Sequence, residues 1–397
     1  MPQATATAAT NLAEAAASPT LLLLGRRADP TVERGVVCPG TVPDPADPDL
    51  VERARAARAA LGDAVFILGH HYQRDDVIAF ADARGDSFKL ARDAAASGAP
   101  HIVFCGVHFM AETADILTAP ATTVILPDLA AGCSMADMAE IAQVEAAWAD
   151  LTEAGAGPGR TVPLTYMNSS AAIKAFTGRA GGAVCTSSNA ERALRWAFDR
   201  GEQVLFLPDQ HLGRNTAVRR LGLSLDDCVV YDPHQPGGGV PPERLRAAKV
   251  VLWKGHCSVH GTFVPAHVAL VRAKVPGVKV LVHPEVRYEV VEAADLVGST
   301  EFIINTVRAA PPGTAWAIGT ELNLVGRLAQ EHPEQTITYL NDKVCFCSTM
   351  NRIDLPHLVW ALESLVDGRV VNPVRVDPDT AGWARVALDR MLALPGA

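Results

Sequence analysis

The sequence predicts an α/β protein made of short parallel sheets with helices on both faces. Three observations predict it. Short apolar runs alternate with helical periods from about Leu50 onward. Brief buried strands alternating with helices are the pattern of sheets covered on both sides. The chemically versatile residues stand just after the runs, where open parallel sheets bind ligands. At 397 residues the chain also exceeds the roughly 250–300 at which one core stops growing, so two or three domains are expected.

Residues 1 to about 20 are low-complexity Ala/Thr and read as disordered, and Pro39 to Pro48 reads as a Pro/Asp-rich linker. The apolar runs Val65–Leu68, His101–Cys105, Thr123–Leu126 and Val162–Tyr166 are read as strands, followed by Val204–Leu207, Val250–Trp253, Val278–Val282 and Ala315–Ile318. Helical periods cover Leu50–Ala60, Ser87–Ala96, Met110–Leu117 and Asn189–Asp199, then Pro265–Lys274, Thr300–Ala309, Leu322–Glu331 and Leu355–Leu365. Glycine and proline break the series at Gly155–Gly159 and at Pro233–Pro242.

Thirty-five Lys plus Arg against 44 Asp plus Glu give a net charge of −9, and no long basic run interrupts it. That balance argues against general binding to nucleic acid or to an anionic membrane surface. No apolar run approaches the ~20 residues of a membrane helix. Leu21–Leu24 follows a stretch without positive charge, so it does not read as a signal peptide. Eight cysteines without a single C-x-x-C, in a chain lacking that signal, point to free thiols in a reducing compartment. A soluble cytoplasmic protein is expected.

GHHYQ (69–73) carries His70, His71 and Tyr72 at a strand end. On an extended segment His71 points the opposite way and reads as structural. ADARGDS (81–87) puts Asp86 or Ser87 at a helix start, where a side chain either caps the helix or joins its dipole in holding an anion. TYMNSSAAIKA (165–175) and AVCTSSNAERAL (183–194) are alike: strand, hydroxyl- and amide-rich turn, helix. Tyr166 and Asn168 fall on one face of an extended segment, while Thr186-Ser187-Ser188-Asn189 is either a capping run or an anion site. VHPE (282–285) sets His283 and Glu285 on one side of a turn, a pair suited to acid–base work or to plain solvation. Ser299 and Thr300 open one more helix.

Cys133 in AGCSMADM opens a helix, a position expected to depress its pKa and favour metal ligation or nucleophilic chemistry. Cys257 and His260 in WKGHCSVH follow a strand and a glycine, and Cys345-Phe-Cys347 precedes a C-terminal amphipathic helix. Each thiol taken alone is equally a small buried hydrophobe.

In order over about residues 65–365, the segments GHHYQ, ADARGDS, FMAETADIL, AGCSMADM, YMNSSAAIKA, CTSSNA, LFLPDQHLG, WKGHCSVH, HPE, GST and CxCSTMNRIDL resemble the quinolinate synthases, iron–sulfur enzymes of de novo NAD biosynthesis. The resemblance implies three similar three-layer αβα domains with short parallel sheets around a pseudo-threefold central active site. The implied division is an extension and linker (1–49), α/β units at 50–150, 151–235 and 236–330, and a C-terminal segment (331–397) whose helices pack back on the first unit. It further implies one [4Fe-4S] cluster held by Cys133, Cys257 and a third cysteine. For the third, Cys347 is chosen over Cys345 because Cys347-Ser-Thr-Met350 fits the family's C-x-x-M without a gap.

The family's ligand contacts map onto His70, Ser87, Tyr166, Met167, Asn168, Ser187, His283, Pro284, Glu285 and Thr300, and its acid–base positions onto Tyr72, His260, His283 and Glu285. The implied reaction condenses iminosuccinate with dihydroxyacetone phosphate to quinolinate, with the open iron as Lewis acid. An L-aspartate oxidase supplying iminosuccinate is the implied protein partner. Two other readings stand beside it: a reductive dehydroxylase that also uses three cysteines, which would need an electron donor, and a non-catalytic iron–sulfur sensor. The sensor reading leaves the His, Tyr and Asn residues without a task.

Overall fold

The computed structural model describes residues 42–343 and 345–394. The low-complexity start and Cys38 lie outside them. Three sheets organise the chain. The first contains β1 (Val65–His70), β2 (Ala83–Gly85), β3 (His101–Cys105) and β4 (Thr123–Ile125), in the parallel order β4-β3-β1-β2. The second contains β5 (Thr161–Tyr166), β6 (Ala183–Cys185), β7 (Gln203–Leu207), β8 (Cys228–Tyr231) and β9 (Val250–Trp253), in the order β6-β5-β7-β9-β8, again parallel. The third holds β10 (Lys279–Val282), β11 (Leu296–Val297), β12 (Ala315–Gly319) and β13 (Thr336–Tyr339), in the parallel order β11-β10-β12-β13. A last strand, β14 (Pro373–Val374), joins the edge of β4 antiparallel.

One strand order therefore recurs in all three sheets. The opening strand is flanked by the second on one side and the third on the other, with a further strand beyond the third; the second sheet adds β8 outside that one. The chain reverses its direction of travel across each sheet beside the opening strand, and ligands bind at the carboxyl ends of strands at such a point. Every residue of β5, β7 and β9 is buried, which explains their uninterrupted apolar runs.

Two expected boundaries move. Because β9 pairs with β7, the second unit runs past 235 to Trp253, and β13 carries the third past 330 to Tyr339. The break at 233–242 is a turn inside the second unit, where Gly237, Gly238 and Gly239 take φ of 57°, 67° and 67°. Glycine is suited to that left-handed region because it lacks a Cβ.

The two C-terminal helices part company. Leu355–Val366 lies along Leu50–Leu61, which buries Leu50, Ala54 and Ala57 from one face, and the pair is tied by Arg53 to Glu363 at 2.8 and 2.7 Å. Pro378–Leu392 packs mainly on Ala171–Arg179 in the second unit and also reaches the first, where Arg385 donates to the Ile116 carbonyl. The reason is local. Gly178 lets the backbone at Trp383 come into close contact, and Arg390 Nη1 donates to the carbonyls of Gly178 and Gly182 at 3.0 and 2.7 Å. No described helix is long and apolar enough to cross a membrane.

Candidate functional site

The opening strand of each sheet delivers one pair of candidate residues. After β1 the chain turns, with Gln73 N donating to the His70 carbonyl at 2.9 Å and Tyr72 N to His70 Nδ1 at 3.1 Å. After β5, Met167 N donates to the Cys185 carbonyl at 2.8 Å, which carries Tyr166 and Asn168 past the sheet edge. After β10, His283 N donates to the Gly319 carbonyl at 3.1 Å and Glu285 N to His283 Nδ1 at 3.4 Å. His70, Tyr72, Tyr166, Asn168, His283 and Glu285 all line one cavity.

The second strand of each sheet leads to a helix start and supplies a hydroxyl to the same cavity: Ser87, Ser187 and Thr300. Capping is done by their neighbours. Asp86 accepts from Phe88 N and Lys89 N at 3.1 and 2.9 Å, and Ser299 Oγ from Phe302 N at 3.3 Å; at the other start Asn189 makes no side-chain cap and its Oδ1 accepts from Thr186 N, before the helix, at 2.7 Å. The bland role and the anion-facing role thus fall on different residues.

The outermost of the four recurring strands supplies a thiol each time. Cys133 follows β4, Cys257 follows β9 and Cys347 follows β13, and all three line the cavity. Cys345 does not line it, and its carbonyl accepts from Tyr339 Oη at 3.0 Å. Cys105 and Cys185 are fully buried within strands. Burial pushes the Cys133 thiol well up, against the depression expected of a helix N-terminus. The helix there has only four residues, Ser134–Asp137, so its dipole is too short to offset desolvation. Cys257 and Cys347 are also pushed up, first by burial, and charge on any one of the three thiols disfavours charge on another. A positive ion placed among them would reverse that repulsion.

A chain of hydrogen bonds runs behind the cavity. Glu285 Oε2 meets His260 Nδ1 at 2.8 Å, and His260 Nε2 meets Thr320 Oγ1 at 3.1 Å. Thr320 Oγ1 meets Tyr72 Oη at 2.9 Å, and that phenol also contacts Thr300 Oγ1 at 2.9 Å. Burial works to raise the Glu285 carboxyl, but His283 and His260 beside it, with hydrogen bonds from His260 and Tyr166, hold it at about 2. Burial lowers His283 to about 3; it also lowers His70 to about 3, with the charges of His71 and Arg327 adding to the effect. Burial and then Glu285 push the Tyr72 phenol far up. At neutral pH Glu285 is therefore ionised, while His70, His283 and Tyr72 are neutral.

His260 is buried behind Glu285, stacked on His283 with ring centroids 4.5 Å apart, and reaches the cavity only through its hydrogen bonds. Pro284 is not brought to the cavity; its carbonyl accepts from Asn215 Nδ2 at 2.8 Å. His71 pairs with Glu301 at 2.9 Å and does not line the cavity. The sequence reading missed Thr320 and Glu321. Glu321 lines the cavity, accepts from Cys347 N at 3.3 Å, and is raised to about 7 by burial. Both follow β12 directly, so the strand-end rule was the signal that could have found them.

The ligand atoms of Cys257, His260 and Glu285 lie within 4.8 Å of one another, another grouping able to take a cation. Both ring nitrogens of His260 already have partners, which leaves the thiols as the freer donors. No lysine or arginine is among the described residues that line the cavity. Anionic ligand groups would meet hydroxyls, amides and helix N-termini instead.

Fold and site together define an α/β enzyme whose thiol-lined cavity is built from the strand ends of three sheets. The family model described as quinolinate synthetase A protein matches residues 52–393. The chain belongs to that iron–sulfur-dependent family. A quinolinate synthase from Nocardioides sp. is 68% identical over 383 residues, covering 95% of this chain and 97% of that one. The quinolinate synthases of Streptomyces coelicolor and Geobacillus kaustophilus are 67% and 59% identical, covering 94% and 87% of this chain and 96% and 94% of theirs.

Proposed function

We propose that the chain condenses iminosuccinate with dihydroxyacetone phosphate to quinolinate, phosphate and two waters, with Cys133, Cys257 and Cys347 holding a [4Fe-4S] cluster. The observation that carries the reading is the delivery of one thiol from each sheet to a cavity that also holds the Glu285–His260–Thr320–Tyr72 chain. The donor set fits: three soft ligands converge, all free of disulfides, with no fourth cysteine among the described residues that line the cavity. When bound, such a cluster supplies an iron without a protein thiolate, a Lewis acid for a substrate oxygen or nitrogen. The atoms of substrates and products balance without an electron donor, which separates this reaction from a reductive dehydroxylation.

The protein's own groups divide the remaining work. Ser87, Ser187, Thr300 and Asn168 donate hydrogen bonds to the carboxylates and phosphate, helped by the helix starts beside them. Neutral His70 and His283 offer a ring N–H without adding a charge that would trap the anion. Tyr166 and Met167 flank the site with apolar surface and exclude water. Ionised Glu285 fixes the tautomer of His260, by taking a hydrogen bond from Nδ1–H and leaving Nε2 to accept from Thr320. Thr320 then accepts from Tyr72, so a proton can pass from the phenol to His260 and back.

The class of reaction that must supply iminosuccinate is oxidation of the aspartate amine, so an L-aspartate oxidase is the partner this reading names. Free thiols and an oxygen-sensitive cluster fit the cytoplasm. The test is anaerobic reconstitution with iron and sulfide, followed by incubation with the two substrates and no reductant. Quinolinate accumulating over many turnovers supports the reading; a strict need for an electron donor removes it.

A further inference from the structure

Tyr72 belongs to the first unit, whereas the Thr300 and Thr320 hydroxyls it meets belong to the third. The phenol must therefore be placed across a seam between sheets. The helix Leu322–Glu331 starts two residues after Thr320, and it grips the backbone of the Tyr72 turn at three successive carbonyls. Arg327 Nη1 donates to the His71 carbonyl at 2.9 Å, Asn323 Nδ2 to the Tyr72 carbonyl at 3.1 Å, and Arg327 Nη2 to the Gln73 carbonyl at 2.6 Å. Arg327 Nε closes the grip on Asp75 Oδ1 at 2.7 Å, and Arg327 is 8% exposed. Asn323 also reaches Asn351 Oδ1 at 3.2 Å, and Asn351 in turn donates to the Cys347 carbonyl.

One short stretch, 320–327, thus carries both the hydroxyl that the phenol must reach and the donors that fix the phenol's own backbone. A planar guanidinium holds two carbonyls and a carboxylate in one rigid geometry, which a lysine ammonium cannot reproduce. We infer that Arg327, assisted by Asn323, is the positioning residue that sets the Tyr72 phenol on the Thr320 hydroxyl across the seam. The inference rests on the proton chain read above and adds to it the groups that hold that chain in register.

The test is a double-mutant cycle in the full-length, anaerobically reconstituted enzyme, with rates normalised to iron per chain. Arg327→Gln is expected to lower kcat by ~10- to 100-fold with KM changed far less, since displacing a reacting group by ~1 Å costs on the order of 10²-fold. In a Tyr72→Phe background the same substitution is expected to cost less than about 2-fold, because the group it positions is gone. Losses that multiply in the double variant would overturn the inference while leaving the proton chain standing. An unimpaired Tyr72→Phe would sink both. Should Arg327→Gln fail to fold, Asn323→Ala removes the bonds to the Tyr72 carbonyl and to Asn351 while leaving the Arg327 grip in place; its smaller kcat loss must likewise vanish without the phenol, and multiplication there counts against the inference.

Discussion

Thr320 joins the two halves of the proton chain, and Thr320→Val removes its hydroxyl while keeping nearly all its volume. The side chain is fully buried, so no water replaces the lost oxygen. His260 Nε2 forfeits its 3.1 Å partner, whereas Tyr72 Oη keeps Thr300 at 2.9 Å. One buried polar atom left unpaired costs about 1–3 kcal/mol of stability, which a domain of ordinary stability survives. Turnover should suffer more. With the phenol cut off from His260 and Glu285, the loss expected of a removed proton-transfer group is ~10²–10⁴-fold. Thr320→Ser restores the oxygen and should stay within about 10-fold of the parent. The assay is the initial rate of quinolinate release under anaerobic conditions, per mole of reconstituted iron, with thermal unfolding run alongside. If the valine and serine variants turn over alike, proton passage through Thr320 is refuted.

The remaining predictions concern the thiols, the buried imidazoles and the C-terminal helix. Cys347→Ser should lose bound iron and sulfide, whereas Cys345→Ser should retain both, because only Cys347 lines the cavity; iron counting decides, and the reverse pattern would exchange their roles. In cluster-free protein, His70 and His283 sit near 3 when folded against 6.5 when unfolded, so the unfolded chain binds more protons between those values. Stability should therefore fall as pH drops from about 6.5 toward 3, by up to ~1.4 kcal/mol per pH unit for each histidine. Glu321, raised to about 7, opposes this between pH 7 and 4.5, so the comparison is made in Glu321→Gln protein, where urea midpoints that hold steady from pH 7 to pH 5 would contradict it. Gly178→Ala would drive a methyl into the Trp383 carbonyl, and overpacking of this kind costs typically ~1–3 kcal/mol. A lowered melting temperature is expected, and an unchanged one would show that the last helix can shift at no cost.

The parts of the fold that were legible in the sequence are those where the period signal is strong. Runs such as His101–Cys105 and Val250–Trp253 became strands with those same bounds, because all or nearly all of their residues are buried. β2, β11 and β14 have three residues or fewer and no apolar run, so periodicity had nothing to act on. The recurring strand order was invisible because it is a property of pairing, while the residues that fill equivalent places differ: His70, Tyr166 and His283 are each the last residue of an opening strand or the first beyond it.

Candidate site residues were legible because each follows a strand or opens a helix, and the resemblance sorted them from ordinary caps. Asn323 and Arg327 escaped because an amide and a guanidinium within a helix have no spacing signature, whereas Thr320 lay within reach of the strand-end rule. Their significance lies in partners about 250 residues away in sequence. The Cys133 pKa was misjudged for a related reason: helix position is visible in sequence, but depth of burial is not.

In the proposed function three thiols, one from each sheet, leave an iron open to ligand among the groups that handle protons and anions. The most direct measurement is Mössbauer spectroscopy of the ⁵⁷Fe-reconstituted enzyme before and after adding a dicarboxylate that bears a thiol. About one quarter of the iron signal is expected to shift on binding, the fraction belonging to a single iron of a [4Fe-4S] cluster. A spectrum in which tight binding leaves every iron unchanged would contradict it.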